Sequence, residues 1–174
     1  MMNLPSLLAV LSPITFSATC VSVYTALYSN TKKSPPSFKH LALIAAFSGY
    51  IFLVLSVTLL FRSFAAFNIE LDPIASYRRA LNAPHHLAVI EIRNIILNIM
   101  MFMPLGFMLP IASEKLRKIY LIIPLAVFFT FTIEATQYLT SRGVFALEDM
   151  LLNTMGAIIG FTIYKIIHII KKVP

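Results

Sequence analysis

Charge is what this sequence has least of. Asp, Glu, Lys and Arg make up 12% of its 174 residues, against about a quarter in a soluble globular domain. With 59% hydrophobic residues and a mean hydropathy of +0.84, that deficit excludes an ordinary soluble domain and points to a bilayer. Cysteine occurs once, at Cys20, which excludes an intramolecular disulfide. Ser17-Ala18-Thr19 before it is not the small apolar pattern of a lipoprotein signal, so Cys20 reads as a small buried helical residue. The sequence shows no internal repeat, no low-complexity segment, no phosphate loop and no nucleophile beside an obvious base. The net charge of +7 comes without a basic-aromatic patch or a nucleic-acid motif. Nucleic acid is therefore not an expected partner; bases at helix ends instead suit anionic lipid headgroups.

What is present is long apolar runs. A hydrocarbon core of about 30 Å needs roughly 20 apolar residues, and five runs qualify: 4–29, 41–61, 94–113, 119–139 and 150–170. The first has no basic start and no clear cleavage site and is long for a signal-peptide core, so it is expected to remain as a helix. The expected fold is all-α: a polytopic membrane helix bundle of about five transmembrane helices forming one domain over 1–174. The second connector, from Arg62 to Arg93, is too long to be structureless. Asp72-Pro73 reads as an N-cap followed by proline at N1. This predicts a short interfacial helix over 73–81, with a second starting near Pro84 and running into the third span.

Orientation follows from lysine and arginine, which favour the cytoplasm. With the N-terminus outside, the first and third connectors plus the tail hold nine bases, counting Lys165, and the second and fourth hold five. The expectation is N-terminus outside and C-terminus inside. Arg78 and Arg79 vote the other way.

Polar residues interrupt the last three spans, where they are costly and mark a site or a polar joint between helices. Glu91, Asn94 and Asn98 are spaced i, i+3, i+7; Thr130, Glu134 and Gln137 are spaced i, i+4, i+7; Asp149, Asn153, Gly156 and Gly160 are spaced i, i+4, i+7, i+11. Each set occupies one helix face. The topology brings the polar ends of all three helices to one level, next to Arg142 in the fourth connector. Gly156-x3-Gly160 allows close helix approach, so the polar face is also the packing face. Pro104, eased by Gly106, and Pro124 are expected to kink their helices.

Plainer readings stand beside these. Asn94 reads as a helix cap. Asn98 lies deeper and reads first as an interhelical hydrogen-bonder. Asp149 suits either a cap or a site. Gly106, Gly156 and Gly160 read as packing residues. Met100, Met101, Met103 and Met108 are membrane core filler. His85-His86 points to opposite sides of a helix and has no further ligand at metal spacing, so neither a metal nor a cofactor is expected. Glu134, inside a span, needs a partner, and Arg142 and Arg93 are the candidates.

The ordered set Asn94-x3-Asn98-x3-Phe102-x-Pro104-Leu105-Gly106, Ile133-Glu134-x2-Gln137, Arg142-Gly143 and Asp149-x3-Asn153-Thr154-x-Gly156-x3-Gly160 resembles the VanZ-like family. The resemblance covers about residues 65–165, and Asn68 to Pro73 is similar to the family's stretch before its loop helix. Two positions depart from the family pattern: Ala146 stands where an acid is frequent, and Glu148 where Asp is usual. The resemblance implies a multi-pass protein of the bacterial cytoplasmic membrane and a link to low-level resistance to teicoplanin, a lipid-tailed glycopeptide.

The functional expectation is an outward-facing polar pocket built from Asn98, Glu134, Gln137, Arg142, Asp149 and Asn153. It would engage a cell-envelope lipid, a lipid-linked wall precursor or a lipoglycopeptide. The alternative is an intramembrane enzyme acting on a lipid-linked substrate with Glu134 and Asp149 as acid and base, Arg142 holding a phosphate or carboxylate. A small transporter is disfavoured by five helices without an inverted repeat.

Overall fold

A computed structural model describes residues 4–31, 36–60 and 68–170. It divides into two compact units, Met1–Leu60 and Phe61–Pro174. Lys32, Lys33, Arg62, Lys171 and Lys172, which enter the charge tally above, lie outside the described residues.

The first unit contains helix α1 (Leu4–Thr31) and helix α2 (Phe38–Leu55), the latter running into a π-helical turn at Ser56–Leu60. α2 begins after Pro36 at Ser37, whose backbone is extended and whose carbonyl accepts the His40 and Leu41 N–H groups. Serine and threonine in these helices satisfy their hydroxyls on carbonyls one turn back, as Thr19 does on Thr15 and Ser56 on Phe52. Ser17 instead donates across the helix pair to the Ala45 carbonyl at 2.6 Å, close to Gly49, and Phe16 stacks on Phe52.

The second unit opens with strand β1 (Ile69–Glu70), followed by helix α3 (Ala75–Asn82), helix α4 (His85–Ala112), helix α5 (Ile119–Leu139), strand β2 (Phe145–Ala146) and helix α6 (Leu147–Ile170). Four helical segments among the described residues are long and apolar enough to cross a membrane: Phe38–Leu59, α4, α5 and α6. α1 has the length but is not one of the four; serine and threonine recur along it from Ser12 to Ser29. The all-α class holds, with one addition. β1 and β2 pair in parallel, Ile69 with Phe145 and Glu70 with Ala146.

Two boundaries differ from expectation for local reasons, and one matches it. Asp72 caps, but as a turn: its Oδ1 accepts the Ile74 N–H at 3.1 Å, and α3 starts at Ala75, not Pro73. α4 starts directly after Pro84 and runs unbroken to Ala112, so the second loop helix continues into the third span as the sequence led us to expect. Asn94 therefore lies inside α4, exposed, and cannot cap it. Pro104 and Pro110 sit within α4, and Pro124 within α5, without ending either helix.

The core lies where α4, α5 and α6 meet, around Phe102, Ile122, Ala126, Ile133 and Ala157. A Cβ on Gly106 would strike the Ala157 carbonyl, one on Gly156 the Ile99 carbonyl, and one on Gly160 the Met103 carbonyl. Ile99 with Gly156 and Met103 with Gly160 rise together along the chain, so α4 and α6 run in the same direction, backbone against backbone. α5 returns in the opposite direction alongside this pair, mainly against α6, with Phe129 on Phe102 at 5.6 Å.

Candidate functional site

The parallel run of α4 and α6 gathers polar groups near one end of the second unit. Asp149 lies in the first turn of α6 with Glu148, where carboxylates suit the helix dipole. Asn98 on α4 donates to Asp149 Oδ1 at 2.7 Å.

The seam between α5 and α6 holds the rest. Glu134 is 2% exposed, and its Oε2 accepts the backbone N–H of Ala146 at 3.0 Å. A buried carboxylate on α5 thus fixes the residue that leads into α6. One turn earlier, Thr130 Oγ1 accepts the side-chain N–H of Asn153 at 2.8 Å. Asn153 is 1% exposed, and its Oδ1 meets no hydrogen-bond partner among the described residues. A buried amide oxygen left unmatched costs about 1–3 kcal/mol, so it is a place where a donor would be stabilised.

Gln137, also buried, ends the polar face of α5. The helix closes with paired bonds, Arg142 N–H to the Gln137 carbonyl at 2.8 Å and Ser141 N–H to the Tyr138 carbonyl at 3.1 Å. This closure needs a left-handed residue, normally glycine, and here Ser141 takes it with φ 53°. Arg142 follows in this turn, half-buried.

Above lies α3. Glu148 is buried, and its Oε2 accepts the Ser76 N–H at 2.7 Å, one of the amides that the first turn of α3 leaves without a helical acceptor. Ser76 Oγ accepts from Arg79 at 2.9 Å, and Arg79 pairs with Glu70 at 2.8 Å and Glu91 at 3.2 Å. Burial disfavours the guanidinium charge, but Glu70 and Glu91 outweigh it and hold the Arg79 pKa above its ordinary value. One arginine thereby ties β1, α3 and α4 together.

Of the residues singled out in the sequence, Asn98 meets Asp149, while Glu134, Gln137 and Asn153 line the α5–α6 seam. Arg93 is exposed on α4. Thr130, Glu148 and Ser76 were not in the candidate set. Thr130 was visible as part of the periodic face of α5. Glu148 was marked only as a position where the family usually has Asp, and Ser76 carried no signal; their pairing is invisible locally because they meet across 72 positions of sequence. Among the described residues no group of three or more His, Cys, Asp or Glu side chains is placed to hold a metal ion.

The VanZ/LLP1 family model matches residues 47–168, more than half of the chain, beginning inside α2 and ending near the end of α6. No curated protein and no solved structure matches the chain.

Proposed function

Because the chain belongs to the VanZ/LLP1 family, we propose that it sits in a bacterial cytoplasmic membrane, N-terminus outside and C-terminus inside, and binds a cell-envelope lipid at its polar seam. The ligand class is a lipid-linked wall precursor or a lipoglycopeptide: an acyl chain joined to a headgroup rich in hydroxyl and amide donors. The observation that carries the reading is the buried Oδ1 of Asn153, an acceptor with no donor among the described residues, between α5 and α6.

Entry to the seam would require its cover to move. We take that cover to be the connection from α5 to α6, the turn at residues 140–144 followed by a ladder of two residues per strand, with Ser141 in a conformation that costs a non-glycine residue about 1–2 kcal/mol. Arg142 belongs to this turn. Binding is favoured over acid–base chemistry because Glu134 and Asp149 each already commit an oxygen to a protein donor.

The test is survival on teicoplanin of a sensitive Gram-positive host overproducing the protein. Wild type is expected to raise survival, and Asn153→Ala and Asp149→Asn, checked for insertion, to lose the gain. Equal protection by all three would remove the seam from the function.

A further inference from the structure

α3 has two unlike faces. Ala75 and Ser76 are buried against the rest of the unit, and Arg79 is turned to Glu70 and Glu91. On the other side Ile74, Tyr77 and Leu81 are exposed at i, i+3, i+7, with Leu71 just before them. This strip is held in place from behind by the buried Glu148.

Its height relative to the membrane follows from α4. That helix has 28 residues, about 42 Å at 1.5 Å each, which exceeds a hydrocarbon core of about 30 Å. Counting roughly 20 residues back from Ala112 reaches Arg93, which is exposed as a charge at the boundary would be. Glu91, the α4 partner of Arg79, lies half a turn beyond. α3 is therefore fastened to α4 at the level where hydrocarbon gives way to headgroups. Leu87 and Ile90, exposed on the same part of α4, continue the apolar surface. Arg78 belongs to the same outward face; it contacts Asp72 at 3.0 Å, yet its side chain is 63% exposed, leaving donors for a phosphate on a stem long enough to follow an apolar surface.

We propose that the outward face of α3 is a lipid-contact surface: Leu71, Ile74, Tyr77 and Leu81 enter the acyl boundary of the membrane and Arg78 meets phospholipid phosphate. Its occupant is the phospholipid interface itself. This contact is independent of any ligand at the polar seam, since a protein that binds nothing there presents the same strip. It adds a mechanical link, because the lipid-facing helix is fastened through Ser76 and Glu148 to the start of α6.

The sequence contains no tryptophan, so one can be introduced as a sole reporter. Full-length Tyr77→Trp is reconstituted in phosphatidylcholine vesicles whose acyl chains carry bromine either near the headgroup or near the chain end. Leu81→Trp reports from the same strip should Tyr77→Trp fail to insert. Phe128→Trp, at an exposed position midway along α5, shows that the assay reads a lipid-facing residue. An interfacial helix buries its apolar face by about 5–10 Å. Tyr77→Trp and Leu81→Trp should therefore lose more emission to the shallow bromine than to the deep one and be shielded from aqueous iodide, whereas Phe128→Trp should favour the deep bromine. Full iodide quenching at 77 and 81 with no bromine effect would place α3 in water and overturn the proposal. Shielding from both quenchers would also overturn it, placing a protein surface, such as a second copy of this chain, over the strip.

Discussion

Asn98 donates to Asp149 across 2.7 Å, a polar rung between two helices that also meet at glycines set against backbone carbonyls and at Phe107 edge-on to Tyr164. It sits one turn of α6 above Asn153 and on the face that carries Gly156 and Gly160. The polar residues of this family pattern are thus part of the joint that holds α4 on α6, as well as the lining of the seam.

The rung should be measurable. Asn98→Ala and Asp149→Ala are each expected to lower stability in detergent, and their combination to fall short of additivity by about 1 kcal/mol, the scale of interhelical bonds in membranes. Strict additivity would mean that the two side chains act independently.

The glycines differ in what surrounds them. Gly106→Ala and Gly160→Ala force a Cβ into a partner backbone, and each should cost about 1–3 kcal/mol or block insertion. Gly49→Ala meets Ser17 Cβ at an ordinary 3.9 Å and should be neutral or gain up to about 1 kcal/mol from helix propensity. Equal losses at all three in thermal unfolding would contradict the packing described.

Glu148 should hold α3 more than Arg79 does. Glu148→Ala removes a buried charge-assisted bond, on the scale of about 1.5–3 kcal/mol, and should raise hydrogen exchange across residues 75–82. Glu148→Gln keeps an acceptor and should raise it less. Arg79, 46% exposed, makes pairs of the kind worth about 1 kcal/mol or less, so Arg79→Ala should loosen α3 more weakly than Glu148→Ala.

Orientation is testable directly. Reporter fusions at Ser76 and Gly143 should signal outside the cytoplasm, and fusions at Lys115 inside it. An outward signal at Lys115 would invert the arrangement proposed.

Much of this was legible in the sequence, and the reasons are physical. α5 begins and ends where its apolar run does, at Ile119 and Leu139. Pro84 marks the start of α4, because proline suits a helix entry. Gly156-x3-Gly160 names a helix contact. What escaped is non-local or too short to be periodic. Two-residue strands have no alternation, so the pairing of Ile69–Glu70 with Phe145–Ala146 left no trace. Ser141 gave no sign that it would hold the left-handed position usually given to glycine. Glu148 stood out only as a departure from the family pattern, and its role needed its partner, the Ser76 N–H, placed beside it. Asn94 was misread as a cap because the charged residues before it, Glu91 and Arg93, do not interrupt α4.

The central claim is that the α5–α6 seam holds an envelope lipid through Asn153. Native mass spectrometry of the purified chain tests it, after incubation with a lipid-linked wall precursor and, separately, with phosphatidylglycerol as a plain membrane lipid. Wild type should retain the precursor through detergent removal, and Asn153→Ala, with its unfolding temperature checked, should retain about tenfold less, the equivalent of about 1.4 kcal/mol. Equal retention of precursor by wild type and Asn153→Ala, or retention of neither lipid by wild type, would contradict the account.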